Sequence, residues 1–284
     1  YENRKGVYLE GEFFPEVEVI TKKIKDSTRS IKTHKKNKCL MPANEYEAIK
    51  EKLNKEKEIE KKKKEALLSR ELEKISKEIT KNNFTLGLKK IDIGKDKVAY
   101  SYERTSTSYF ALKQIQYNLR KLYKVKQSNR YNIVCQLRGV LSDKFPKHII
   151  KTDISNFYES IPRSTLLKKL NADPLLTLTS KKIIRRILHE YQQISGQDDG
   201  LPRGIGISAY LSELYMRKFD SIILDKPDLI YYARYVDDIV IICSNQANSD
   251  STKLDDIKKH TSSLGLCLNE NKTDIYTDDG KGIN

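Results

Sequence analysis

The chain has 284 residues, enough for one large domain or two ordinary ones with a core that needs no disulfides. Its 54 Lys and Arg against 39 Asp and Glu give a net charge of +15, which predicts a polyanionic partner. No run approaches the roughly 18 apolar residues of a spanning helix and no signal peptide is apparent, so nucleic acid is a better partner than a membrane, and we expect a soluble, cytoplasmic protein.

A long helix is predicted from Ala43 to about Lys81, because this stretch lacks Gly and Pro and is rich in Lys, Glu and Leu. Its lysine-rich centre, from Lys55 to Glu65, is either a solvated face with i,i+4 pairs or an arm that contacts a nucleic-acid backbone. The same helix could also contact a protein partner or a second copy. The forty residues before it are basic and mixed, and no element is predicted there.

Short strands and turns are predicted over residues 84 to 110, and helix from Tyr109 to Asp143. The polar faces of the helical stretch are basic, and Tyr117 and Tyr123 lie among the basic residues. This mixture suits binding to phosphates with stacking on bases or sugars, although a solvated face also accounts for it. The basic residues are Arg120, Lys121, Lys124, Lys126 and Arg130.

The C-terminal half alternates between strand and helix patterns of unequal length, which indicates an α+β fold. Two β-branched or aromatic runs, Leu229 to Tyr235 and Ile239 to Cys243, predict a hairpin. The other predicted elements are a strand at His148–Ile154, helices at about Ser164–Leu170 and Thr179–Ile194, a helix from near Ser208, a helix at about Ser251–Leu264 and a strand near Asp274–Thr277.

Two adjacent aspartates, Asp237 and Asp238, lie at the tip of the predicted hairpin. An Asp-rich turn is one explanation. The other is a bound cation, because charges beside an apolar sheet are costly to desolvate. Asp153 also ends an apolar strand, so two neighbouring strands would bring three carboxylates to one point. Hard oxygen ligands predict Mg²⁺ or Mn²⁺, and a pair of such ions suits phosphoryl transfer.

Four segments resemble, in the right order, the successive palm motifs of reverse transcriptases. The segments are Asp153–Ile161, Gly200–Gly204, Ala233–Asp238 and Leu268–Thr273. The resemblance implies a right-hand polymerase with an antiparallel-sheet palm at 149–284, fingers-like helices inserted at 162–200, helical fingers at 83–148 and a basic N-terminal region at 1–82. The thumb is expected to be absent or to lie beyond this fragment of a longer chain.

The resemblance also implies roles for individual residues of the first and third motifs. Asp153 and Asp237 would bridge two Mg²⁺ ions, with Mn²⁺ as an alternative. Asp238 would complete the cluster, and the carbonyl of Ile154 would be a further metal ligand. Tyr158 would lie beneath the incoming sugar as a steric gate against a 2′-hydroxyl, with core packing as the alternative.

Five further residues are candidates for the site. Arg203 and Gly204 would touch the incoming nucleotide or its template partner, the glycine allowing close backbone approach. Most family members have glutamine at the position of Arg203, and a guanidinium could grip phosphate or fill a different role. Lys272 would be a proton donor to pyrophosphate or a plain surface lysine. Lys126 and Arg130 are assigned to nucleotide binding.

The sequences Phe157–Ile161 and Leu201–Gly204 are more similar to the bacterial abortive-infection and defence-associated reverse transcriptases than to other groups. Arg120–Arg130 does not match the fingers hairpin of retroviral or group II intron enzymes. The resemblance implies antiphage DNA synthesis from dNTPs on an RNA template, which could be a bound noncoding RNA. The alternatives are untemplated DNA synthesis primed by a protein side chain, and a non-catalytic scaffold that binds nucleic acid, against which the three acids argue.

Overall fold

The computed structural model describes residues 12–38, 41–94, 98–244 and 250–279. Within them the chain forms two compact units, one from Tyr1–Phe84 with Arg104–Phe110 and the other from Thr85–Glu103 with Ala111–Asn284. Parts of all three predicted regions, 1–82, 83–148 and 149–284, fall outside the described residues. The boundary between fingers and palm stays a prediction.

The first unit contains two helices, α1 (Pro15–Lys36) and α2 (Ala43–Thr80). The long helix is confirmed to within one residue of its predicted end. Helix α1 lies in the basic, mixed stretch to which no element was assigned from the sequence. Helix α1 has Pro15 in its first turn, acidic residues near its N-terminus and basic residues in its last turn. Each of these features stabilises a helix end, and together they offset the sparse apolar positions.

The core of the first unit is small and partly aromatic. Phe14 and Val17, at the start of α1, are buried together with Ile75 of α2. The ring of Phe14 stacks on that of Phe110 with 5.8 Å between centroids. Partly buried side chains around this core are Phe13, Leu67, Leu68, Leu72, Ile79 and Phe110.

The second unit begins with an antiparallel pair, β1 (Leu88–Asp92) and β2 (Val98–Tyr102). Helices α3 (Ser106–Tyr123) and α4 (Arg130–Leu141) follow, and the first turn of α3, up to Phe110, belongs to the first unit. The predicted strands and helical stretch are therefore confirmed, but the helical stretch is divided. Lys124 adopts a left-handed φ of 53°, which ends the first helix. No strand occurs between α3 and α4 in the described chain, in agreement with the poor match to a fingers hairpin.

A four-stranded antiparallel sheet in the order β4-β5-β3-β6 forms the centre of the second unit. The predicted strands, hairpin and helices are confirmed with small shifts at their ends, and so is the α+β class. The strands are β3 (Lys147–Asp153), β4 (Leu229–Tyr235), β5 (Asp238–Ser244) and β6 (Asp274–Asp278), and the helices are α5 (Phe157–Ser160), α6 (Arg163–Ala172), α7 (Leu178–Ser195), α8 (Gly206–Leu224), α9 (Asp250–Ser263) and a 3₁₀ turn at Glu270–Lys272.

Helices α7 and α8 supply much of the buried apolar surface of this unit. Ile184 and Ile187 of α7 and Tyr215 and Phe219 of α8 are almost fully buried. The Tyr215 hydroxyl donates to the Leu264 carbonyl at 2.6 Å, so this buried polar group is satisfied. In the described part of the chain, no helix combines the length and apolar character needed to span a membrane.

Candidate active site

The predicted acids lie at one edge of the sheet, where β3 ends and β5 begins. The antiparallel register pairs Asp153 with Asp238. Asp153 is buried and Asp238 is exposed. Asp237 is half-buried in the turn between β4 and β5. Burial raises the pKa of Asp237, and the charges of Asp153 and Asp238 raise it further. Asp153 and Asp238 therefore lie within electrostatic range of Asp237.

The turn that carries Asp237 is held in an unfavourable backbone conformation. Val236 has a φ of 62°, a left-handed value that is rare for a β-branched residue. Both carbonyls of the turn accept hydrogen bonds. The Arg234 Nη1 donates to the Val236 carbonyl at 3.0 Å, and the Ile154 amide donates to the Asp237 carbonyl at 3.1 Å. These bonds fix the turn relative to the end of β3, as strained functional turns require.

Arg234 is the centre of a buried ionic network between the hairpin and α8. Its guanidinium donates to both oxygens of Asp220 at 2.8 Å and to those of Glu213 at 3.1 and 2.7 Å. The Tyr232 hydroxyl also donates to Asp220, at 2.6 Å. Burial alone would lower the pKa of Arg234, but Asp220 and Glu213 raise it above its usual range. The guanidinium therefore stays charged and ties α8 to the turn.

Asp153 is contacted by residues of the fourth motif. Lys272 Nζ lies 3.0 Å from Asp153 Oδ2, and Asn269 Nδ2 lies 3.4 Å from Oδ1. The Asn269 amide also donates to the Asp153 carbonyl at 2.7 Å. The hydrogen bond and charge of Asp153 raise the pKa of Lys272, so its ammonium is protonated at neutral pH. Lys272 thus lies within the acidic cluster, as expected of the site.

The acids match a hard divalent cation in donor type, because all three are carboxylates whose charges repel at Asp237. However, no three His, Cys, Asp or Glu side chains among the described residues stand in an arrangement that could hold a metal ion. The strands bring Asp153 and Asp238 together at one edge of the sheet, with Asp237 in the adjoining turn, and metal binding by the three carboxylates stays a prediction. Asp153 Oδ2 lies 3.0 Å from Lys272 Nζ.

Tyr158 lies on the short helix α5, five residues after Asp153, and is half-buried. Burial raises the pKa of its phenol, and the carboxylates of Glu213 and Asp237 contribute to the same shift. The phenol is thus within electrostatic range of the acidic turn. The steric gate and its alternative, core packing, both stay predictions for Tyr158.

Arg203 forms a bidentate pair with Glu159. Its Nε and Nη2 each donate to a different Glu159 oxygen at 3.0 Å, and its guanidinium carbon lies 5.8 Å from the centre of the Tyr158 ring. The hydrogen bond with Glu159 raises the pKa of Arg203. Contact with a nucleotide stays a prediction for Arg203, but the hydrogen-bonding edge formed by Nε and Nη2 is engaged within the protein.

The two glycines of the second motif approach other backbone segments closely. Gly204 has a φ of 93°, and a Cβ there would lie 2.7 Å from the Tyr100 carbonyl oxygen of β2. Gly200 also has a φ of 93°, and its Cβ would lie 2.7 Å from the Glu159 carbonyl oxygen. The close approach predicted for Gly204 was to a nucleotide or its template partner, and that contact stays a prediction, whereas its close neighbour in the structure is β2.

Of the two basic residues assigned to the nucleotide, one lies beside the hairpin. The Arg130 guanidinium carbon is 6.0 Å from the ring centre of Tyr235, the residue at the end of β4. Lys126 is exposed between α3 and α4. Nucleotide binding stays a prediction for both residues.

Sequence reasoning missed Arg234, Glu159 and Asn269. Arg234 had a detectable signal, because it is a charge within a strand rich in apolar and aromatic residues, and Glu213 and Asp220 are seven residues apart on one face of α8. Glu159 gave none, since its partner is 44 positions away.

Residues 103–281 match the family model described as Reverse transcriptase (RNA-dependent DNA polymerase). No curated protein sequence matches the chain. Among solved structures, telomerase from Candida albicans in complex with a TWJ fragment of telomeric RNA is 16% identical with a TM-score of 0.41, over 59% of this chain and 34% of that one.

Two structures of telomerase from Candida tropicalis are similar to the same degree. The one in complex with the TWJ fragment is 17% identical with a TM-score of 0.45, over 69% of this chain and 41% of that one. The apo form truncated from its C-terminal domain is 17% identical with a TM-score of 0.42, over 60% and 40%. The chain thus spans less than half the length of these telomerase chains.

Proposed function

Because the chain belongs to the reverse transcriptase family, we propose that it is an RNA-directed DNA polymerase that adds dNTPs to a 3′ end. The observation that carries the proposal is the cross-strand pairing of Asp153 with Asp238, with Asp237 in the adjoining turn. This is the edge of the sheet at which a phosphoryl-transfer enzyme needs its carboxylates.

Asp153, Asp237, Asp238 and the Ile154 carbonyl would hold two Mg²⁺ or Mn²⁺ ions, which when bound activate the attacking 3′-oxygen and stabilise the leaving pyrophosphate. The chain's own residues would supply the remaining chemistry. Lys272 carries a proton at neutral pH and lies 3.0 Å from Asp153, so it can donate that proton to the leaving group.

Tyr158 would select the sugar of the incoming nucleotide. Its half-buried ring, within electrostatic range of Asp237, supports a position beneath the ribose. The ring would exclude a 2′-hydroxyl by its bulk. Deoxynucleotides would then be preferred over ribonucleotides.

The charge distribution supports nucleic acid as the partner. Between residues 111 and 151 there are ten Lys and Arg, all exposed except the buried Lys147, and a single acid, Asp143. Arg130 in this stretch lies beside the hairpin that carries the acids. Such a surface neutralises phosphates and so binds a template and product with little base preference.

A role in antiphage defence rests on the similarity of Phe157–Ile161 and Leu201–Gly204 to the defence-associated group. The template would then be an RNA, and a bound noncoding RNA is one candidate for it. Protein-primed synthesis is separated from templated synthesis by the chemistry of the product.

The test is to incubate the full-length protein with Mg²⁺ and with each dNTP separately or all four together, with and without RNA, and to sequence the product. A DNA that copies the RNA is the expected result. A homopolymer attached to protein would establish untemplated synthesis and overturn the templated part of the proposal. Absence of incorporation with every template and primer supplied would overturn the proposal and leave a nucleic-acid-binding scaffold.

A further inference from the structure

The basic residues of α1 follow one face of the helix. Five of them are spaced alternately three and four residues apart, which places them along one stripe. The first and last are 14 residues apart, about 21 Å at 1.5 Å per residue. All five are exposed. This α1 basic stripe consists of Lys22, Lys25, Arg29, Lys32 and Lys36.

The opposite face of α1 is buried and fixes the direction of the stripe. Val17, Ile31 and His34 are buried on that face. His34 stacks on Tyr46 of α2 with 4.5 Å between ring centroids, and its Nε2 lies 2.8 Å from the Tyr46 carbonyl oxygen. The helix therefore cannot rotate to hide its basic side chains without losing these contacts.

Helix α1 carries unbalanced charge, whereas α2 does not. The α1 helix has seven basic and three acidic residues, and α2 has eleven and ten. Lysines of α2 pair with glutamates one turn away, as in Lys50–Glu47, Lys55–Glu51 and Lys61–Glu58. Two residues of the stripe have acidic partners one turn away, Lys22 with Glu18 and Arg29 with Asp26. In the described part of the chain no ion pair is formed by Lys25, Lys32 or Lys36. Of the two helices, α1 therefore carries the larger net positive charge.

We propose that the α1 basic stripe binds the phosphate backbone of a single-stranded nucleic acid. A row of cations along a rigid helix can follow a row of phosphates, which releases counterions. A membrane surface fits less well, because the apolar side of α1 is occupied by the core of its own unit and has nothing to insert. The inference is independent of catalysis at the acidic turn.

The test compares two triple variants of the full chain that remove equal charge. One changes Lys25, Lys32 and Lys36 to Gln. The matched control changes Lys52, Lys57 and Lys62 to Gln, three α2 lysines distributed around their helix. Binding of labelled single-stranded RNA is followed by fluorescence anisotropy over a series of salt concentrations, with circular dichroism to verify helix content.

The stripe variant should show a salt slope that is shallower by about 2, because each lost contact on a single strand contributes roughly 0.7. The control should keep the wild-type slope. An unchanged slope in the stripe variant, or an equal change in both variants, would contradict the proposal. Loss of binding to anionic phosphatidylserine vesicles with an unchanged RNA slope would also contradict it.

A separate observation concerns the helix that carries Tyr158. Helix α5 has only four residues, too few to be stable by its own hydrogen bonds. Its position depends on the second motif. The Leu201 amide donates to the Tyr158 carbonyl at 2.7 Å, and the Gly200 amide donates to the Ile161 carbonyl at 2.9 Å.

The bidentate bond between Arg203 and Glu159 is the side-chain part of the same attachment. Glu159 is adjacent to Tyr158, and the Arg203 guanidinium also lies over the Tyr158 ring. The backbone of Arg203 is fixed in turn, because its carbonyl accepts from the Tyr100 amide of β2 at 2.7 Å. A displacement of Arg203 would therefore free the ring that is proposed to exclude the 2′-hydroxyl.

We infer that Arg203 is a positioning residue for Tyr158 and, with Glu159, sets the discrimination between deoxy- and ribonucleotides. This inference rests on the proposed function and on the gate. It differs from the role that the family resemblance implies, in which this position touches the nucleotide itself.

The experiment measures kcat/KM for a dNTP and for the matching NTP in single-nucleotide extension. Arg203→Gln and Glu159→Gln should each lower the ratio about 10-fold, part of the roughly 100-fold that a pocket achieves against an added hydroxyl. The exchange Arg203→Glu with Glu159→Arg should recover part of the ratio. Arg203→Lys should be intermediate, because an ammonium cannot bond bidentately.

The control is Arg104→Gln, which breaks a similar bidentate pair with Glu12 at 2.8 and 3.0 Å in the first unit and should leave the ratio unchanged. If Tyr158→Ala changes the ratio and Arg203→Gln does not, the inference is wrong while the polymerase assignment stands. An equal rise in KM for both nucleotides would show a phosphate contact instead. Failure of the wild type to incorporate any nucleotide would overturn the proposed function itself.

Discussion

Among the three acids, Asp237 is the residue whose burial and repulsion destabilise the charged form in the folded protein. Its pKa is raised by burial and by Asp153 and Asp238, so the folded protein favours the protonated form. The stability that this group contributes is present at low pH and lost as the pH rises through its raised pKa. We expect Asp237→Asn to unfold at a higher temperature than the wild type at neutral pH in EDTA.

The difference in melting temperature should shrink as the pH falls, because protonated Asp and Asn are then similar in charge. Thermal unfolding at a series of pH values measures it. A variant that melts below the wild type at neutral pH, or a difference that grows on acidification, would show that the carboxylates do not repel.

At this scale the sequence identified Asp153, Asp237 and Asp238, because acids that interrupt apolar strands are unusual wherever they occur. Arg203 was assigned from the resemblance without its partner. Glu159 is 44 positions away, and no periodicity connects residues at such a separation. The orientation of each carboxylate was equally out of reach, since it depends on the contact of Lys272 with Asp153.

At the scale of elements, the β4–β5 hairpin depends on the ionic network of Arg234. Replacing Arg234 by Leu would leave Asp220 and Glu213 without their partner, and breaking a buried pair costs about 3–5 kcal/mol. Urea unfolding should show a loss of this size. The matched variant Lys151→Leu breaks the exposed pair with Asp274 at 3.3 Å and should cost no more than about 1 kcal/mol. Equal losses would contradict a special role for Arg234.

The contact between the second motif and β2 gives another prediction at this scale. Gly204→Ala combines a left-handed φ with a Cβ 2.7 Å from the Tyr100 carbonyl oxygen, so it should destabilise the protein by about 1–3 kcal/mol. Gly139→Ala, inside α4 with nothing within 4 Å, should stabilise it by about 1 kcal/mol. Urea unfolding compares the two. A neutral Gly204→Ala would show that β2 can move away from the motif.

Elements with a strong pattern, such as α2 and the β4–β5 hairpin, were predictable to within one or two residues. Helix α1 was not, because its apolar residues are few and its burial comes from Ile75, Phe110 and other side chains distant in sequence. The hydrophobic pattern also did not predict that the helical stretch is divided after Tyr123, since the division depends on the left-handed backbone of Lys124.

At the scale of the whole molecule, the net charge of +15 predicted a polyanionic partner but not where it binds. The structure shows two basic surfaces. One is the α1 basic stripe, and the other is formed by the exposed basic residues between 111 and 151. The order of motifs along the chain was enough to predict the family. The motifs are brought together by the antiparallel register of the strands. The spacing of the motifs along the sequence does not specify that register.

The most direct test of the central claim is single-nucleotide incorporation by the wild type and by Asp237→Asn across a Mg²⁺ titration, with RNA binding measured on the same samples. We expect Mg²⁺-dependent incorporation by the wild type and a decrease of at least about 100-fold in the variant, the scale at which lost transition-state electrostatics reduce turnover. RNA binding should be unchanged. Incorporation by Asp237→Asn at the wild-type rate would contradict the assignment of the acidic turn as the polymerase site.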